Sequence, residues 1–557
     1  MATIFGTENY DLMEGTPDYD HYWGRGGDDD LSGGGGNDVL WGDDGDDDLD
    51  GGDGNDTLEG DDGDDDLDGG HGNDVLEGGD GDDDMIGGVG KDRLKADDGD
   101  DDLEGGAGDD TLLGGDGGDV LEGGDGNDVL NGGRDADLLF GSTGFDTASY
   151  DHSQQPVSIN LGTGAASGGD AAGDYFSSIE NLFGSIFADV LIGDNGANRL
   201  SGSLGNDVLQ GGVGADILYG GDGVDTVVYS EGTVGVTVNL LTGIASGGNA
   251  QGDGIALVEN VEGSQGGDTI TGTADANVLW GLAGDDILVG RGGDDRLEGG
   301  DGTDRADYAA SGAGVTIDLG LDLAIGGDAE GDGFGSIENL SGSGFGDSLT
   351  GTAGANTLAG AGGGDTLRGG AGGDRLDGGA GIDTVTYTES NIGVVISLPA
   401  MQVSGGNAQG DVLIGIENLL GSGGADSLTG DGLANVLNGW AGKDQLTGGG
   451  GADRFTFHAV THSAVGDAAD RVADFSRTQG DRIDLSTIDA NTTQAGNQGF
   501  SFIGTANYSG TAGQLRYQQS ADGTTTVVAG DVNGDGASDF QIRCAGTIAF
   551  ASADFVL

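Results

Sequence analysis

The chain has 557 residues and a single cysteine, Cys544, so no intrachain disulfide can staple it. It has only three prolines against 127 glycines, and the glycines follow no three-residue period, which excludes a collagen-type helix. Only 18 residues are basic while 100 are acidic, a formal charge of -82. No basic stripe exists to meet phosphates, so nucleic acid and anionic membrane surfaces are disfavoured as partners. No apolar run approaches the length of a membrane span. The first eight residues, Met1 to Glu8, have neither a basic start nor an apolar stretch, so no cleaved secretory signal is expected. Aromatic residues make up 6%. By composition alone a chain this acidic and this poor in large apolar groups reads as disordered.

What is present is a period. From Gly6 to Ser149 the sequence repeats every nine residues without an insertion, as in the copies Gly51 to Glu59 and Gly69 to Glu77. Glycine favours the first, second and fourth places, aspartate always holds the sixth, and leucine nearly always the eighth. Glycines permit left-handed backbone and close carbonyl approach. A carboxylate offers only acceptor oxygens, which suits a hard cation such as calcium. The last three places suit a short strand with its leucine turned inward. Two nonamers make one coil, so loops eighteen residues apart stack, and Asp47 comes beside Asp65 at a parallel-strand spacing of about 4.8 Å. Two bare carboxylates at about 5 Å repel by roughly 3 kcal/mol at an effective dielectric of 20. A stack of them is expected to close only with cations between the loops.

After Tyr150 a second period of 79 residues is superimposed. Tyr150 recurs as Tyr229, Tyr308 and Tyr387, and Ile179-Glu180-Asn181-Leu182 recurs in register up to Ile416-Glu417-Asn418-Leu419. Each unit holds a 34-residue segment and a block of nonamers, five in the first three units and four in the last, which ends at Asp453. Alternating stretches such as Val236 to Leu240 and Val315 to Leu319 read as strands. The segments are read as wider coils of the same solenoid. One nonamer per unit carries asparagine at the sixth place (Asn198, Asn277, Asn356, Asn435), and these loops are expected to bind a cation weakly or not at all.

The nonamer resembles the repeats-in-toxin (RTX) family of hemolysin-type calcium-binding repeats, whose consensus is G-G-x-G-x-D-x-U-x. That resemblance implies an all-β, elongated parallel β-roll with calcium between consecutive same-side loops. The expected ligands are the sixth-place carboxylates of Asp29, Asp38, Asp47, Asp56, Asp65, Asp74, Asp83, Asp92, Asp101, Asp110, Asp119, Asp128, Asp137 and Asp146 in the first block. In the later blocks they are Asp189, Asp207, Asp216, Asp225, Asp268, Asp286, Asp295, Asp304, Asp347, Asp365, Asp374, Asp383, Asp426, Asp444 and Asp453. The first two copies, with Asp11 and Asp20, depart from the consensus and read as an end cap.

From Arg454 the nonamer is lost and aromatic and arginine residues become commoner. Ala473-Asp474-Phe475, Gly480 to Ser486, Ala512 to Tyr517, Gly530 to Phe540 and the terminal Asp554-Phe555-Val556-Leu557 resemble the C-terminal domain of serralysin-type secreted metalloproteases. The resemblance implies an uncleaved type I secretion signal, hence the type I secretion machinery as partner and an extracellular location. Three regions are thus expected: a contiguous roll over 1–149, tandem 79-residue units over 150–453, and a C-terminal domain over 454–557.

Catalytic signatures are absent from the sequence. His458 and His462 have metal-ligand spacing, but Ala459 stands where a zincin needs its general-base glutamate and Ala468 where the third ligand would fall. There is no Gly-x-Ser-x-Gly elbow and no P-loop. With repeats beginning at Gly6, no catalytic module is expected ahead of them. Asp531 to Asp539 follows half of an EF-hand loop, but Ile542 replaces the closing glutamate, so an Asx-turn between strands is the simpler reading. The expected role is a calcium-folded structural, adhesive or surface-layer protein, with a cell surface, an extracellular polysaccharide or its own copies as further partners. The alternative is an extracellular enzyme or toxin (metalloprotease-related, polysaccharide-modifying or pore-forming). Its site would be marked by residues that break the 79-residue symmetry, such as Tyr175, Phe183 and Phe187.

Overall fold

A computed structural model describes residues 3–557. They are almost entirely strand and turn: six single-turn 3-10 segments occur and no α-helix. The chain divides into two compact units, one comprising the residues up to Gly272 with Val278–Gly284, the other Thr273–Asn277 with Asp285–Leu557.

In the first unit the nonamers wind a parallel β-roll with the expected eighteen-residue register. Thr57–Asp62 pairs with Val75–Asp80, which pairs with Arg93–Asp98, and on the opposite face Asp84–Val89 pairs with Asp102–Ala107. Most strands of the first block are longer than the three residues expected, while Asp48–Asp50 and Asp66–Asp68 keep that length. The longer ones run on through the two leading places of the next nonamer, so that Asp61 pairs with Gly79. Leucines of alternate nonamers form two inward columns: Leu31, Leu49, Leu67, Met85, Leu103, Leu121 and Leu139 on one face, Leu40 to Leu130 on the other, each at most 2% exposed. Stacking at this spacing crowds the fourth place, where Asp135 alone departs from glycine between Gly27 and Gly144. A Cβ on Gly54, whose φ is +159°, would sit 1.4 Å from the Gly36 carbonyl oxygen.

The 34-residue segments are not simply wider coils. In the first of them Tyr175–Ser177 pairs with Leu138–Thr143 and ends that face's sheet, while Asn181–Phe183 pairs with Thr147–Ser149 and carries the other sheet on. Between them an antiparallel hairpin, Ser158–Asn160 with Ala165–Ser167, seeds a new sheet on which Val190–Ile192 stacks in parallel. At the second segment the roles exchange: Gly254–Ala256 closes the parallel stack that the first segment had carried on, meeting the next hairpin only through the Ile244–Gly254 pair, and Asn260–Glu262 extends the stack the first segment had seeded. The exchange follows from the count of five nonamers, an odd number of half-coils, so successive insertions fall on opposite faces.

The second unit repeats the scheme with hairpins Thr316–Asp318/Leu323–Ile325 and Val395–Ser397/Gln402–Ser404. The stacks continue past the last nonamer: Arg454–Thr456 is followed in parallel by Arg482–Asp484 and then by Phe555–Val556. On the other face Asp470–Val472 pairs with Phe540–Ala545, which joins an antiparallel meander with Thr525–Asp531 and Gln514–Gln519. An aromatic cluster of Phe475, Phe502, Phe550 and Phe555 fills this region, with ring centroids 5.0 to 5.3 Å apart along the chain of contacts.

Because each leucine sits in a column with no void to collapse into, Leu94→Ala is expected to cost about 2–5 kcal/mol. Denaturant unfolding in millimolar calcium measures it, and a loss within ~0.5 kcal/mol would contradict the packing described.

Candidate metal centre

The sixth-place aspartates form two hydrogen-bonded ladders along the first roll. The Asp29 N–H donates to Asp47 Oδ1 at 2.6 Å, the Asp47 N–H to Asp65 Oδ1 at 2.7 Å, and so on to Asp137. The other side runs from Asp20 through Asp38 and Asp56 to Asp146. Each carboxylate therefore reaches back to the preceding coil. The fifth-place side chains reach the other way: the Asn55 N–H donates to Asn37 Oδ1 and the Asn73 N–H to Asn55 Oδ1.

The ladder uses one oxygen of each carboxylate. The second, Oδ2, is buried without a hydrogen-bond partner in all fourteen aspartates from Asp29 to Asp146, and again in Asp207, Asp216, Asp225, Asp295, Asp304, Asp365, Asp374, Asp383, Asp444 and Asp453. Asp286 N–H continues its own ladder to Asp304 Oδ1. A buried, charged acceptor with no donor is costly. It faces the bare Cα of the first-place glycine: a Cβ on Gly42 would lie 2.2 Å from Asp47 Oδ2 and 2.8 Å from the Gly60 carbonyl oxygen. The donor set at each loop is thus one carboxylate oxygen with main-chain carbonyls nearby. No cluster of three His, Cys, Asp or Glu side chains forms among the described residues. An all-oxygen set of this kind fits a hard divalent cation such as calcium and not zinc.

Burial holds the carboxyls of Asp47, Asp65, Asp137, Asp207 and Asp444 well above the usual carboxylate range, helped by the like charge of neighbouring carboxylates and opposed by the ladder hydrogen bond. Asp47 is pushed up to about 6, Asp65 and Asp207 to about 7, Asp137 and Asp444 to about 8.

Four expected ligands depart from this pattern. The Ser185 N–H donates to Asp189 Oδ2 at 2.6 Å and the Ser185 hydroxyl to Oδ1, which also accepts the Val157 N–H. Ser264, Ser343 and Ser422 close Asp268, Asp347 and Asp426 in the same way. Both oxygens of these carboxylates are engaged by protein donors, unlike those of the loops with an unpartnered Oδ2. The end-cap copies are closed likewise, by Thr7 on Asp11 and Thr16 on Asp20. The asparagine copies have a distinct reason. Asn198 Oδ1 accepts the Asp194 N–H, and its Nδ2 donates to the Glu180 carbonyl at 2.8 Å. The Glu180 N–H is already given to the Asp146 carbonyl. An aspartate at 198 would set a carboxylate oxygen against that carbonyl, which asparagine bridges with a donor. Asn356 and Asn435 do the same to Glu338 and Glu417.

Sequence reasoning missed the residues that finish each ladder. Asp137 N–H donates to Asp174 Oδ1, and the buried Tyr150 hydroxyl takes Asp174 Oδ2 at 2.6 Å. Tyr229 with Asp253, Tyr308 with Asp332 and Tyr387 with Asp411 repeat the pair. On the other side Glu180, Glu338 and Glu417 accept the N–H of Asp146, Asp304 and Asp383. All recur at 79 residues, the signal that could have found them. Past the last nonamer, Asp470 and Asp481 receive the N–H of Asp444 and Asp453.

The remaining candidates are placed elsewhere. Asp531 accepts the Gly534 and Gly536 N–H groups and Asp539 that of Val532, so this loop satisfies its own carboxylates. His462 packs on Trp440 with centroids 4.8 Å apart, and His458 bonds the Thr487 hydroxyl. Tyr175, Phe183 and Phe187 lie exposed on the surface.

A model of the RTX calcium-binding nonapeptide repeat (4 copies) matches residues 23–58, 59–94, 77–112, 86–121, 113–148, 177–209, 192–227, 262–297, 283–309, 332–367 and 350–385, together half of the chain. A model of the Peptidase M10 serralysin C terminal matches residues 375–557. No curated protein matches the chain. Among solved structures, the solution structure of the AlgE6R3 subunit from the Azotobacter vinelandii mannuronan C5-epimerase is 25% identical, covering 38% of this chain and 78% of that one, with a TM-score of 0.17.

The raised carboxyls set a pH dependence. The metal-free roll binds more protons than the unfolded chain, so this contribution to its stability is complete below the unfolded value of 3.8 and is lost as pH rises through about 6 to 8. In excess chelator, the β-signal in circular dichroism is expected to grow as pH falls from 8 towards 4. A signal that is flat or falls over that range would contradict the burial argument.

Proposed function

Because the chain belongs to the family of RTX calcium-binding nonapeptide repeat proteins, we propose that it is an extracellular protein exported by a type I route. There it folds on calcium and serves a structural, adhesive or surface-layer role without catalytic turnover. The observation that carries this reading is the unbroken series of buried carboxylate oxygens from Asp29 to Asp146 without a protein donor. Where cytosolic calcium is low, burying these charges is unfavourable, and the acidic chain stays open for threading through an export channel. Outside, calcium supplies the positive charge that the loops lack. Each site held at ten times its dissociation constant adds about 1.4 kcal/mol, and the repetition of loops multiplies that gain. Repeats of this kind and the serralysin C-terminal match are typical of secreted proteins.

The absence of turnover is supported by the use made of the acidic residues. Of the carboxylates that a hydrolase would draw on, those in the stacks serve ladders and loops, and those of Asp174, Asp253, Asp332 and Asp411 serve tyrosine hydroxyls. Attachment or assembly is supported by the formal charge of -82, which suits calcium-bridged contact with other acidic surfaces.

Circular dichroism of the purified chain in excess chelator and in millimolar calcium at pH 7.5 tests the folding half. A large gain of β-signal with calcium is expected, and equal β-content in both would sink the reading. Imaging with and without calcium, beside a cell-surface fraction, tests the role: calcium-dependent assembly or surface retention is expected.

A further inference from the structure

Resting on the calcium-folded reading, we infer that the backbone conformation at the second place of each nonamer decides whether its loop takes a cation, and that the first coil of every block is a metal-free joint. Three independent observations carry this. The first is backbone geometry. Every sixth-place carboxylate with an unpartnered Oδ2 follows a second-place residue at positive φ, whether glycine or not: Arg25 at 84°, Asp43 at 71°, Asp61 at 79°, Ser142 at 72°, Ser203 at 82°, Ala361 at 70°. Along the first block many of these second-place residues pair with their counterpart one coil away, as Asp43 does with Asp61 and Asp61 with Gly79.

In every closed loop the second-place residue is outside the positive-φ set, and its N–H donates to the sixth-place oxygen four residues on. Eight of these ten second-place residues are serine or threonine, and the hydroxyls of seven, Thr16, Ser185 and Ser264 among them, add a second bond to the same side chain. The same atom that a cation would satisfy is thereby satisfied by the chain.

The second observation is place. The closed loops are the first two nonamers of each block: Asp11 and Asp20, Asp189 and Asn198, Asp268 and Asn277, Asp347 and Asn356, Asp426 and Asn435. Carboxylates in this roll reach back towards the preceding coil, and the first coil of a block has no nonamer coil behind it. Asp189 meets Val157 of the inserted segment instead, and Asn198 meets Glu180. No second loop is there to complete an oxygen cage, so the loop is closed by its own N–H.

The third observation is residue type. Asparagine occupies the sixth place only in closed loops, and every open loop carries aspartate. A loop that must hold a cation needs the charge, and a joint does not.

The consequence is a roll built of calcium-bound stretches separated by joints whose integrity is independent of calcium. The test compares adjacent rungs of the same stacks in the full-length protein. One variant carries Asp189→Asn, Asp347→Asn and Asp426→Asn; the other carries Asp207→Asn, Asp365→Asn and Asp444→Asn. Bound calcium per chain is read by equilibrium dialysis, with folding checked by circular dichroism in saturating calcium. The first variant is expected to keep the wild-type calcium content, and the second to lose one ion per substituted loop. Ala361→Val, which resists positive φ, is expected to lose one ion, while Ala361→Gly keeps it; this pair stands in should the second triple variant fail to fold. Equal loss in both triple variants, loss confined to the first, or no loss in either overturns the inference while leaving calcium-driven folding intact. A wild-type chain that binds no calcium overturns the calcium-folded reading itself, and this inference with it.

Discussion

One oxygen atom per loop governs the fold. In each open nonamer the aspartate gives Oδ1 to the backbone of the coil behind it and leaves Oδ2 buried without a donor. An unsatisfied buried acceptor costs about 1–3 kcal/mol, more when charged. Fourteen such groups in the first block alone exceed the ~5–15 kcal/mol by which domains are ordinarily stable. The leucine columns and the backbone ladders cannot hold the roll together against that deficit. A proton or a cation must meet each oxygen, and at neutral pH outside a cell calcium is the available one. The glycines follow from the same constraint. In the first block every first place but Ala96 is glycine, because the carboxylate and a carbonyl converge on its Cα, and every fourth place from Gly27 to Gly144 but Asp135, because the coil behind it lies within a Cβ's reach.

The ladders give the stack its direction. Sixth-place side chains reach back one coil while fifth-place side chains receive from the coil ahead. Each coil is therefore tied to both neighbours by side-chain bonds as well as by the sheet. A repeat that meets only its neighbours needs special end pieces, and the 34-residue segments supply them in mid-chain. Asp174 with Tyr150 and Glu180 finish two ladders, a hairpin seeds the next sheet, and Ser185 closes the first loop above it. At Asp174 and Asp189 a protein hydroxyl meets the carboxylate that the open loops leave without a second donor. In the second unit the change goes further. Beyond Asp453 the stacked strands persist, yet their cohesion comes from the Phe475, Phe550 and Phe555 contacts and from Arg477 on Asp554.

Most of the roll was legible because its period is strict. An uninterrupted nine-residue register fixes which residues stack, and the leucine and aspartate columns lie where the spacing puts them. The segments were less legible, since no local pattern says that a strand ends one sheet instead of widening a coil. That depends on the parity of the nonamers before it, a property of the whole block. The ladder-ending Asp174 and Glu180 carried a readable signal in their 79-residue recurrence, but nothing local distinguishes them from the many other acidic residues.

The cation loops show where residue identity alone runs out. Asp43, Asp61, Ser142 and Ser203 stand at the second place with positive φ beside open carboxylates. Asp194 and Ser185 stand at the same place, outside the positive-φ set, and close theirs. Aspartate and serine tolerate both conformations, aspartate and asparagine more readily than most in the left-handed region. The choice is made by what lies one coil behind: a nonamer loop whose backbone pairs with the second-place residue draws it into the left-handed form, and an inserted segment without that partner releases it. Cation binding in this fold is thus a property of pairs of coils, so a single nonamer excised from its stack would carry the ligand residue without the geometry that opens it.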